Sequence, residues 1–232
     1  MQSLTPLTDD TWRVMLTVPT HTRAAFHAGQ YLQLRMPDGS GRAFSIASAP
    51  EHSGHLELHI RAVPGHAAAL DVIEHLHTRE VVTVELPFGK GHLPATGRPL
   101  LLIAGGTGFV PMKALIESSI AHQESRAIYL YWGVSTVRSL YWHAPLQLLA
   151  AAHPRLCYVP VLSQADAGWT GATGYPHILA AATHPDMSGF EIFVSGSVGM
   201  TRAVYQDYRD RGVNDGQFHC DWIDLLREQG EL

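Results

Sequence analysis

"LLIAGGTGFVPMKALIES", residues 101–118, is the stretch that decides the fold. An apolar run leads into Gly105, Gly106 and Gly108, and an apolar helical pattern follows at Pro111. A buried strand, a glycine turn and a helix in this order are typical of a dinucleotide-binding turn. The glycines let backbone N–H groups approach a phosphate, and the helix start adds the positive end of its dipole.

Pro111 takes the place where such turns usually end in a third glycine. Proline fits the first helical turn, because an N–H at that position would have no partner in the helix. Its bulk predicts that the close helix crossing of a third glycine is absent. The stretch therefore predicts a phosphate loop of variant geometry, or else a tight strand–helix turn without a ligand.

The second part of the chain, residues 98–232, alternates buried strands with helices. The apolar runs "LLIAG", "AIYLYWG", "LCYVPVL" and "EIFVSGS" are typical of strands that are buried on both faces. Helical stretches at 111–121, 140–152, 175–182 and 200–211 separate them. This alternation predicts an α/β domain with a doubly wound parallel sheet.

The first part, residues 1–97, has the period of two that is typical of short antiparallel strands. "TWRVMLTV", "GQYLQLRM", "RAFSIAS" and "EVVTVEL" are such runs, and together they predict a small antiparallel β-barrel. "HLELHI" predicts a strand whose polar face, with His55 and His59, is wet. "HAAALDVIEHL" predicts a helix with Ala68, Val72 and Leu76 on one stripe.

The composition excludes several classes of protein. The chain has 232 residues, 46% hydrophobic and 16% charged, with a formal net charge of −5. No basic stripe or nucleic-acid-binding motif occurs, and no apolar run reaches the roughly 18 residues of a membrane span. The N-terminus lacks a signal-peptide pattern, so we expect a cytoplasmic protein. Cys157 and Cys220 are far apart and form no metal motif, and we expect solvent-facing histidines and no metal site.

Four further segments accompany the glycine loop. They are "RAFSIASAP" (42–50), "YLYWGVSTVRSLYW" (129–142), "GWTGATG" (168–174) and "IFVSGSVGM" (192–200). In this order and spacing the chain resembles the ferredoxin–NADP reductase superfamily over nearly its whole length. The first segment is similar to the R-x-[YF]-S flavin motif of that family, the loop to its G-G-T-G-x-x-P motif, and the last to its C-G-P-x-x-M segment. Length and motif order most resemble the stand-alone bacterial NAD(P)H–flavin reductases.

The resemblance implies a flavin on the barrel and a nicotinamide nucleotide on the α/β domain, bound so that the two rings stack between the domains. It implies an NAD(P)H–flavin oxidoreductase that passes hydride from the nicotinamide C4 atom to the flavin N5 atom. Ser45 is the implied catalytic contact to the flavin. The other implied flavin-site residues are Arg42, Ala43, Phe44, His59, Ile60, Arg61 and Trp222, with Asp221 beside the last. The implied nucleotide-site residues are Gly106, Thr107, Gly108, Pro111, Gly196, Gly199 and Met200.

The chain departs from the family pattern in three places. The turn that holds the FAD pyrophosphate in many members reads Gly65-His66-Ala67-Ala68, without a hydroxyl. This implies a weak grip on the AMP half, and hence riboflavin, FMN or FAD as a diffusing substrate. Ser195 stands where many members have cysteine. Two places after Gly133, where members often have arginine, the chain has Ser135, and Arg138 follows it. Ser135 and Arg138 could meet a 2′-phosphate or Arg138 could be solvated, so the preference between NADH and NADPH stays open.

Two alternative functions remain open from the sequence. One is an FAD-containing electron-transfer reductase that serves a separate oxygenase or iron–sulfur partner. Two scattered cysteines predict that the chain holds no plant-type iron–sulfur cluster of its own. The other is a non-catalytic flavin-binding subunit. For the main hypothesis the expected partner is a flavin-dependent monooxygenase that receives reduced flavin.

Overall fold

The computed structural model describes residues 3–22, 24–52, 54–63, 65 and 67–230. The chain divides into two compact units. The first runs through Leu93 and includes Lys113–His122; the second takes Pro94–Met112 and the chain from Gln123 onward. A domain boundary after residue 97 stays a prediction.

The first unit contains two antiparallel sheets of three strands each, with strand orders β1-β2-β5 and β4-β3-β6. This confirms the antiparallel β class expected for the first part of the chain. One helix, α1, lies between β5 and β6 in sequence. The bounds are β1 (Ser3–Pro6), β2 (Thr11–Thr17), β3 (Tyr31–Arg35), β4 (Gly41–Ser45), β5 (His55–Arg61), α1 (Ala67–Thr78) and β6 (Val84–Phe88).

The core of the first unit forms from the alternating apolar residues of its strands and one face of α1. Leu32 and Leu34 of β3 pack with Leu58 of β5 and with Val72 and Leu76 of α1. All five of these side chains are fully buried, as the period of two and the helical stripe predict.

One residue of this unit differs from the sequence-based expectation, and two others cannot be compared with it. Ala68, predicted on the apolar stripe of α1, is exposed, because the stripe that packs against the core runs through Ala69, Val72, Ile73 and Leu76. The turn residues Pro64 and His66 lie outside the described residues.

The expectation of a wet polar face on β5 is wrong for most of the strand. His55 is exposed, but Glu57 and His59 are each only 4% exposed. Lys113, from the helix α2 (Phe109–Ala121), contacts Glu57 over this face. The alternation of the strand is correct, but a helix rather than solvent covers its polar side.

The second unit is built on a six-stranded sheet with the order β10-β9-β8-β7-β11-β12. Every neighbouring pair of strands is parallel, which confirms the predicted doubly wound class. The strands are β7 (Leu100–Gly105), β8 (Ile128–Val134), β9 (Leu156–Leu162), β10 (Ala172–Thr173), β11 (Glu191–Ser195) and β12 (Phe218–His219). The remaining helices are α3 (His143–Ala152), α4 (Pro176–Thr183), α5 (Val198–Asp210) and α6 (Asp221–Glu228).

The strand order places a topological switch beside β7. From β7 the chain adds β8, β9 and β10 on one side, and then returns to add β11 and β12 on the other. Ligands of doubly wound sheets bind outside the carboxyl ends of the strands at such a switch. The carboxyl ends of β7 and β11, where the sequence has glycine-rich turns, therefore mark the site of interest in this unit.

β9 is less buried than its apolar sequence predicts. Cys157 is exposed, because the short strand β10 pairs only with Val161 and Leu162 at the end of β9. Cys157 and Cys220 are both free thiols. Among the described residues, no helix has the length and apolarity needed to cross a bilayer, and no group of metal-ligand side chains is arranged to hold an ion.

Candidate functional site

The flavin motif of the first unit lies on β4, and the pleat of the strand divides its residues between two faces. Arg42 pairs with Leu34, and Phe44 pairs with Leu32, so these two side chains share the face of the core. Phe44 packs against that core. Ala43 and Ser45 lie on the opposite face, with Ala43 exposed and Ser45 half-buried at the end of the strand.

Arg42 has an unmet hydrogen-bond donor. Its Nε atom is buried and has no partner among the described residues, while Nη1 makes only a long contact of 3.4 Å to the Gly41 carbonyl. A buried guanidinium donor without an acceptor is costly, and an anionic or carbonyl oxygen from a ligand relieves that cost. The residue therefore fits the flavin that the family resemblance implies.

The main chain of β5 offers a second contact. The Glu57 carbonyl accepts from Ala47 N–H at 2.7 Å, on the side away from β2, and the Glu57 N–H points to Ser48 on that same side. Because main-chain groups alternate between the edges of a strand, those of His59 and Arg61 face this side as well. Ile60 faces β2 with its main chain and the core with its side chain. Of the three predicted residues, His59 and Arg61 thus suit main-chain contacts to a ring, and Ile60 supports them from the core.

The side chain of Arg61 is already paired. Its Nε donates to Asp10 Oδ2 at 2.7 Å. Asp10 Oδ1 accepts from the hydroxyls of Thr8 and Thr11 at 2.9 and 2.8 Å. Burial raises the pKa of Asp10, but these bonds outweigh it and hold the pKa below its ordinary value. Arg61 therefore faces a fixed carboxylate rather than standing ready for a phosphate.

The glycine loop of the second unit forms a single 3-10 turn, residues 106–108, that leads directly into α2. Gly106 has φ +55°, and an added Cβ there would meet no atom within 4 Å. Its carbonyl accepts from the Trp132 indole N–H at 2.9 Å. Thr107 is half-buried at the middle of the turn. Free space above a left-handed glycine at a helix start fits a pyrophosphate group, because helix-start N–H groups lack partners in the helix.

Gly108 makes a close backbone approach to the end of β11. A Cβ at Gly108 would lie 2.1 Å from the Ser195 carbonyl oxygen at the end of β11. The second glycine of the loop thus makes the close approach, one position before α2 begins, and the absence of a third-glycine crossing at Pro111 stays a prediction. Pro111 is buried in the first turn of α2, as predicted.

The end of β11 faces the same loop. Met200 Sδ fills a notch between Gly105 and Gly196, where an added Cβ would lie 2.3 and 2.6 Å from the sulfur. Gly199 is exposed, and an added Cβ there would have open space. Ser197 caps α5 by accepting from Met200 N–H at 3.3 Å. The structure thus places the glycine turn after β7 and the start of α2 beside Gly196 and Met200, at the topological switch.

Other predicted residues stand apart from these two groups. Trp222 lies in the first turn of α6, 37% exposed, beside Asp221, so it is not a core aromatic. Its placement beside a flavin stays a prediction. Ser135 and Arg138 are exposed after the end of β8, and Arg138 lies in a 3-10 turn.

Comparison with known proteins identifies both units. Residues 1–92 match the oxidoreductase FAD-binding domain, and residues 102–206 match the oxidoreductase NAD-binding domain. An NAD(P)H-flavin reductase of Aliivibrio fischeri is 35% identical over 214 residues, which cover 90% of this chain and 89% of that protein. The chain belongs to the ferredoxin–NADP reductase superfamily. It is an oxidoreductase with domains for a flavin and for a nicotinamide nucleotide.

Other similar proteins carry the names of reductases of other systems. The CDP-6-deoxy-L-threo-D-glycero-4-hexulose-3-dehydrase reductase of Yersinia pestis is 32% identical over 221 residues, 95% of this chain. The chain spans 62% to 67% of the length of the two Yersinia reductases of this name. A ferredoxin reductase in carbazole 1,9a-dioxygenase superimposes with a TM-score of 0.80 at 25% identity, over 94% of this chain and 66% of that one.

Sequence reasoning missed a polar cluster behind the flavin motif and a tryptophan behind the nucleotide loop. Glu57 accepts from Arg13 at 2.8 Å and lies 2.9 Å from His59 Nε2 and 3.2 Å from Lys113 Nζ. Burial raises the pKa of Glu57, but its bond to His59 and the charge of Lys113 outweigh burial and hold the pKa well below its ordinary value. A single lysine inside the apolar stretch "VPMKALI" was the available signal for this cluster. For Trp132, the apolar run itself gave no sign.

Proposed function

We propose that the chain is an NAD(P)H–flavin reductase that binds a free flavin, reduces it and releases it. The observation that carries this proposal concerns the side chains near the position where the family binds the flavin phosphates. Arg61 is held by Asp10 at 2.7 Å, and Ala67 and Ala68 at the start of α1 provide no hydroxyl. A flavin that is held by its ring rather than by its phosphates exchanges readily.

Each unit has one part in this function. Arg42 donates to the flavin, and Ser45 places its hydroxyl and N–H at the end of β4. In the second unit, Gly106 and Thr107 bind the pyrophosphate of the nucleotide, and Met200 shapes the nicotinamide end. When both ligands are bound, they supply the hydride chemistry themselves, and the protein contributes orientation.

A second candidate is an electron-transfer reductase component. It is favoured by the dioxygenase and deoxysugar reductases among the relatives, such as the terephthalate 1,2-dioxygenase reductase component 2 of Comamonas sp, 31% identical over 210 residues. Its signature is a tightly bound, yellow flavin that survives purification. The main proposal expects protein that loses its flavin on dialysis.

The acceptor and the location complete the proposal. Reduced flavin released by this chain suits a flavin-dependent monooxygenase, which would take it up by diffusion. A cytoplasmic location is part of the proposal, because the reaction consumes reduced nicotinamide nucleotides. Neither coenzyme is favoured, because Ser135 stands two places after Gly133, where family members often have arginine, and the exposed Arg138 suits either a 2′-phosphate or solvent.

The test is steady-state oxidation of NADH and of NADPH with riboflavin, FMN and FAD in turn, followed by loss of the reduced-nicotinamide absorbance. The proposal expects saturable turnover with added flavin and a riboflavin KM no more than about tenfold above that of FMN, a difference of about 1.4 kcal/mol. Absence of turnover with all three flavins rejects it. Turnover restricted to FAD would favour the electron-transfer candidate.

A further inference from the structure

The segment after the flavin motif is held by a buried lysine that the family motifs do not include. Lys113 is 5% exposed and lies on α2, two residues past Pro111. Its Nζ atom is 3.2 Å from the Ala47 carbonyl oxygen, 3.2 Å from Glu57 Oε2 and 2.8 Å from Glu117 Oε1. The first two contacts are hydrogen bonds and the third is an ion pair, so the ammonium is held by one carbonyl and two carboxylates.

Ala47 is fixed from both sides of its own backbone. Its N–H donates to the Glu57 carbonyl at 2.7 Å, and its carbonyl accepts from Lys113. The preceding residue, Ile46, donates its N–H to the Gln30 carbonyl at 3.0 Å. Ser45 comes directly before Ile46, so these bonds set the position of the serine at the end of β4.

Stability alone does not explain the buried polar cluster around Glu57 and Lys113. Burying a charged pair costs desolvation that the attraction between the charges often fails to repay, and apolar residues of similar shape commonly do as well. Glu57 is nevertheless surrounded by Arg13 from β2, His59 from its own strand and Lys113 from α2. A buried charge cluster that binds the backbone of the segment after the flavin motif is better explained by a need for fixed geometry.

We infer that Lys113 and Glu57 are positioning residues for the flavin reaction: they hold the Ala47 peptide, and through it Ser45, in the geometry that hydride transfer requires. This inference rests on the proposed function. It predicts that the charge on Lys113 affects the rate of flavin reduction more than the affinity for flavin.

The first readout needs no ligand. In Lys113→Met, which keeps the unbranched stem and removes the charge, amide hydrogen exchange in residues 45–48 should quicken by at least about tenfold. Exchange in β8 should stay unchanged. Glu117→Gln is the matched control, because Glu117 contacts the same ammonium from the same helix, and its other ion-pair partner among the described residues, His52, lies outside residues 45–48. It should leave exchange at 45–48 within about twofold of wild type. Unchanged exchange at 45–48 in Lys113→Met overturns the inference.

The second readout is kinetic. Lys113→Met should lower the single-turnover rate of flavin reduction by about tenfold or more, which corresponds to 1.4 kcal/mol. The flavin Kd, from fluorescence quenching, should change by less than about threefold. Lys113→Arg should recover most of the rate, because it restores a charged donor.

The double variant Lys113→Met with Glu57→Gln separates positioning from stability. It removes one charge of each sign, so the free energy of unfolding should recover relative to Lys113→Met. The rate of flavin reduction should stay low if the pair positions Ser45. A rate that recovers together with stability overturns the inference. Wild-type protein without NAD(P)H–flavin turnover would reject the proposed function itself, whereas active wild type with an equally active Lys113→Met rejects only the positioning role.

Discussion

Trp132 donates its indole N–H to the Gly106 carbonyl at 2.9 Å, and Phe109 stacks on the same indole ring at 4.4 Å. The tryptophan is fully buried in β8, and both partners belong to the loop and to the start of α2. The bond holds the Gly106 carbonyl against the buried indole, and the Phe109 N–H donates to the same carbonyl. The core of the second unit thereby shapes the surface that we assign to the nucleotide.

Trp132→Phe tests this relationship. Phenylalanine keeps the stacking but removes the indole donor, so that the Gly106 carbonyl keeps only the Phe109 N–H. The loss of this hydrogen bond should cost about 1 kcal/mol. We expect the KM for NAD(P)H to rise by about threefold to tenfold, with little change in the flavin KM. Tyr129→Phe on the same strand is the control and should leave both values unchanged. An effect of Trp132→Phe on flavin alone would contradict the role of this bond.

Gly106→Val tests the open space above the loop. The residue has φ +55°, a conformation that costs a side chain about 1–2 kcal/mol, and its Cβ would enter the region assigned to the phosphate. The KM for NAD(P)H should rise by at least about tenfold. Gly97→Val is a matched control, since Gly97 has φ +68° and equally open surroundings outside the loop. Both variants should lose similar stability in thermal unfolding, and an equal rise in KM for both would show that strain, not the ligand site, is responsible.

Ser45→Ala tests the catalytic assignment. The hydroxyl at the end of β4 should contact the flavin more strongly as the ring is reduced, so its loss should lower kcat by about tenfold with a smaller effect on flavin affinity. Ser40→Ala, in the turn before β4, provides the control. Unchanged kcat together with a raised flavin KM would reject a catalytic contact and leave Ser45 as a binding residue.

The polar cluster of β5 predicts acid sensitivity. Burial lowers the pKa of His59 below its ordinary 6.5, although its bond to Glu57 opposes the shift. Just below pH 6.5 the His59 imidazole is therefore protonated in the unfolded chain but neutral in the folded chain. The free energy of unfolding falls as the pH drops below 6.5. Glu57 has a lowered pKa, so its contribution is present above 4.5 and is lost as pH falls further.

Thermal unfolding between these pH values checks the prediction. Burial lowers the pKa of His177 and His184 too, so wild type alone does not isolate the cluster. His59→Gln should flatten the slope just below pH 6.5, and Glu57→Gln should flatten it below 4.5. A slope that is identical in all three proteins would show that these two groups do not couple to folding.

Local patterns in the sequence predict much of this molecule. The glycine loop and the turn after β11 could be identified from short motifs, because glycine is required there by backbone conformation and by close approach. Gly108 shows the limit of that reasoning. The group that it approaches closely, the Ser195 carbonyl, is distant in sequence, so the motif alone could not show which glycine makes this approach.

The burial of the polar face of β5 could not be predicted either, because the residue that covers it is distant in sequence. The alternation of "HLELHI" identifies which side chains share a face, but the cover comes from Lys113, which is 56 residues beyond Glu57. A strand with one polar face is typical of an exposed sheet, and only the tertiary fold reveals the helix above it. The split of Arg42 and Ser45 between the two faces of β4 follows from the pleat of the strand. Their spacing can be read from the sequence, but the side chains around them cannot.

Anaerobic reduction of excess riboflavin by NAD(P)H, with catalytic amounts of purified protein and no protein partner, is the most direct test of the central claim. The account predicts that free reduced riboflavin accumulates far beyond one equivalent per protein chain, at a rate that saturates with riboflavin concentration. Reduction that stops at one equivalent of protein-bound flavin, and continues only when an electron-accepting protein is added, would contradict it.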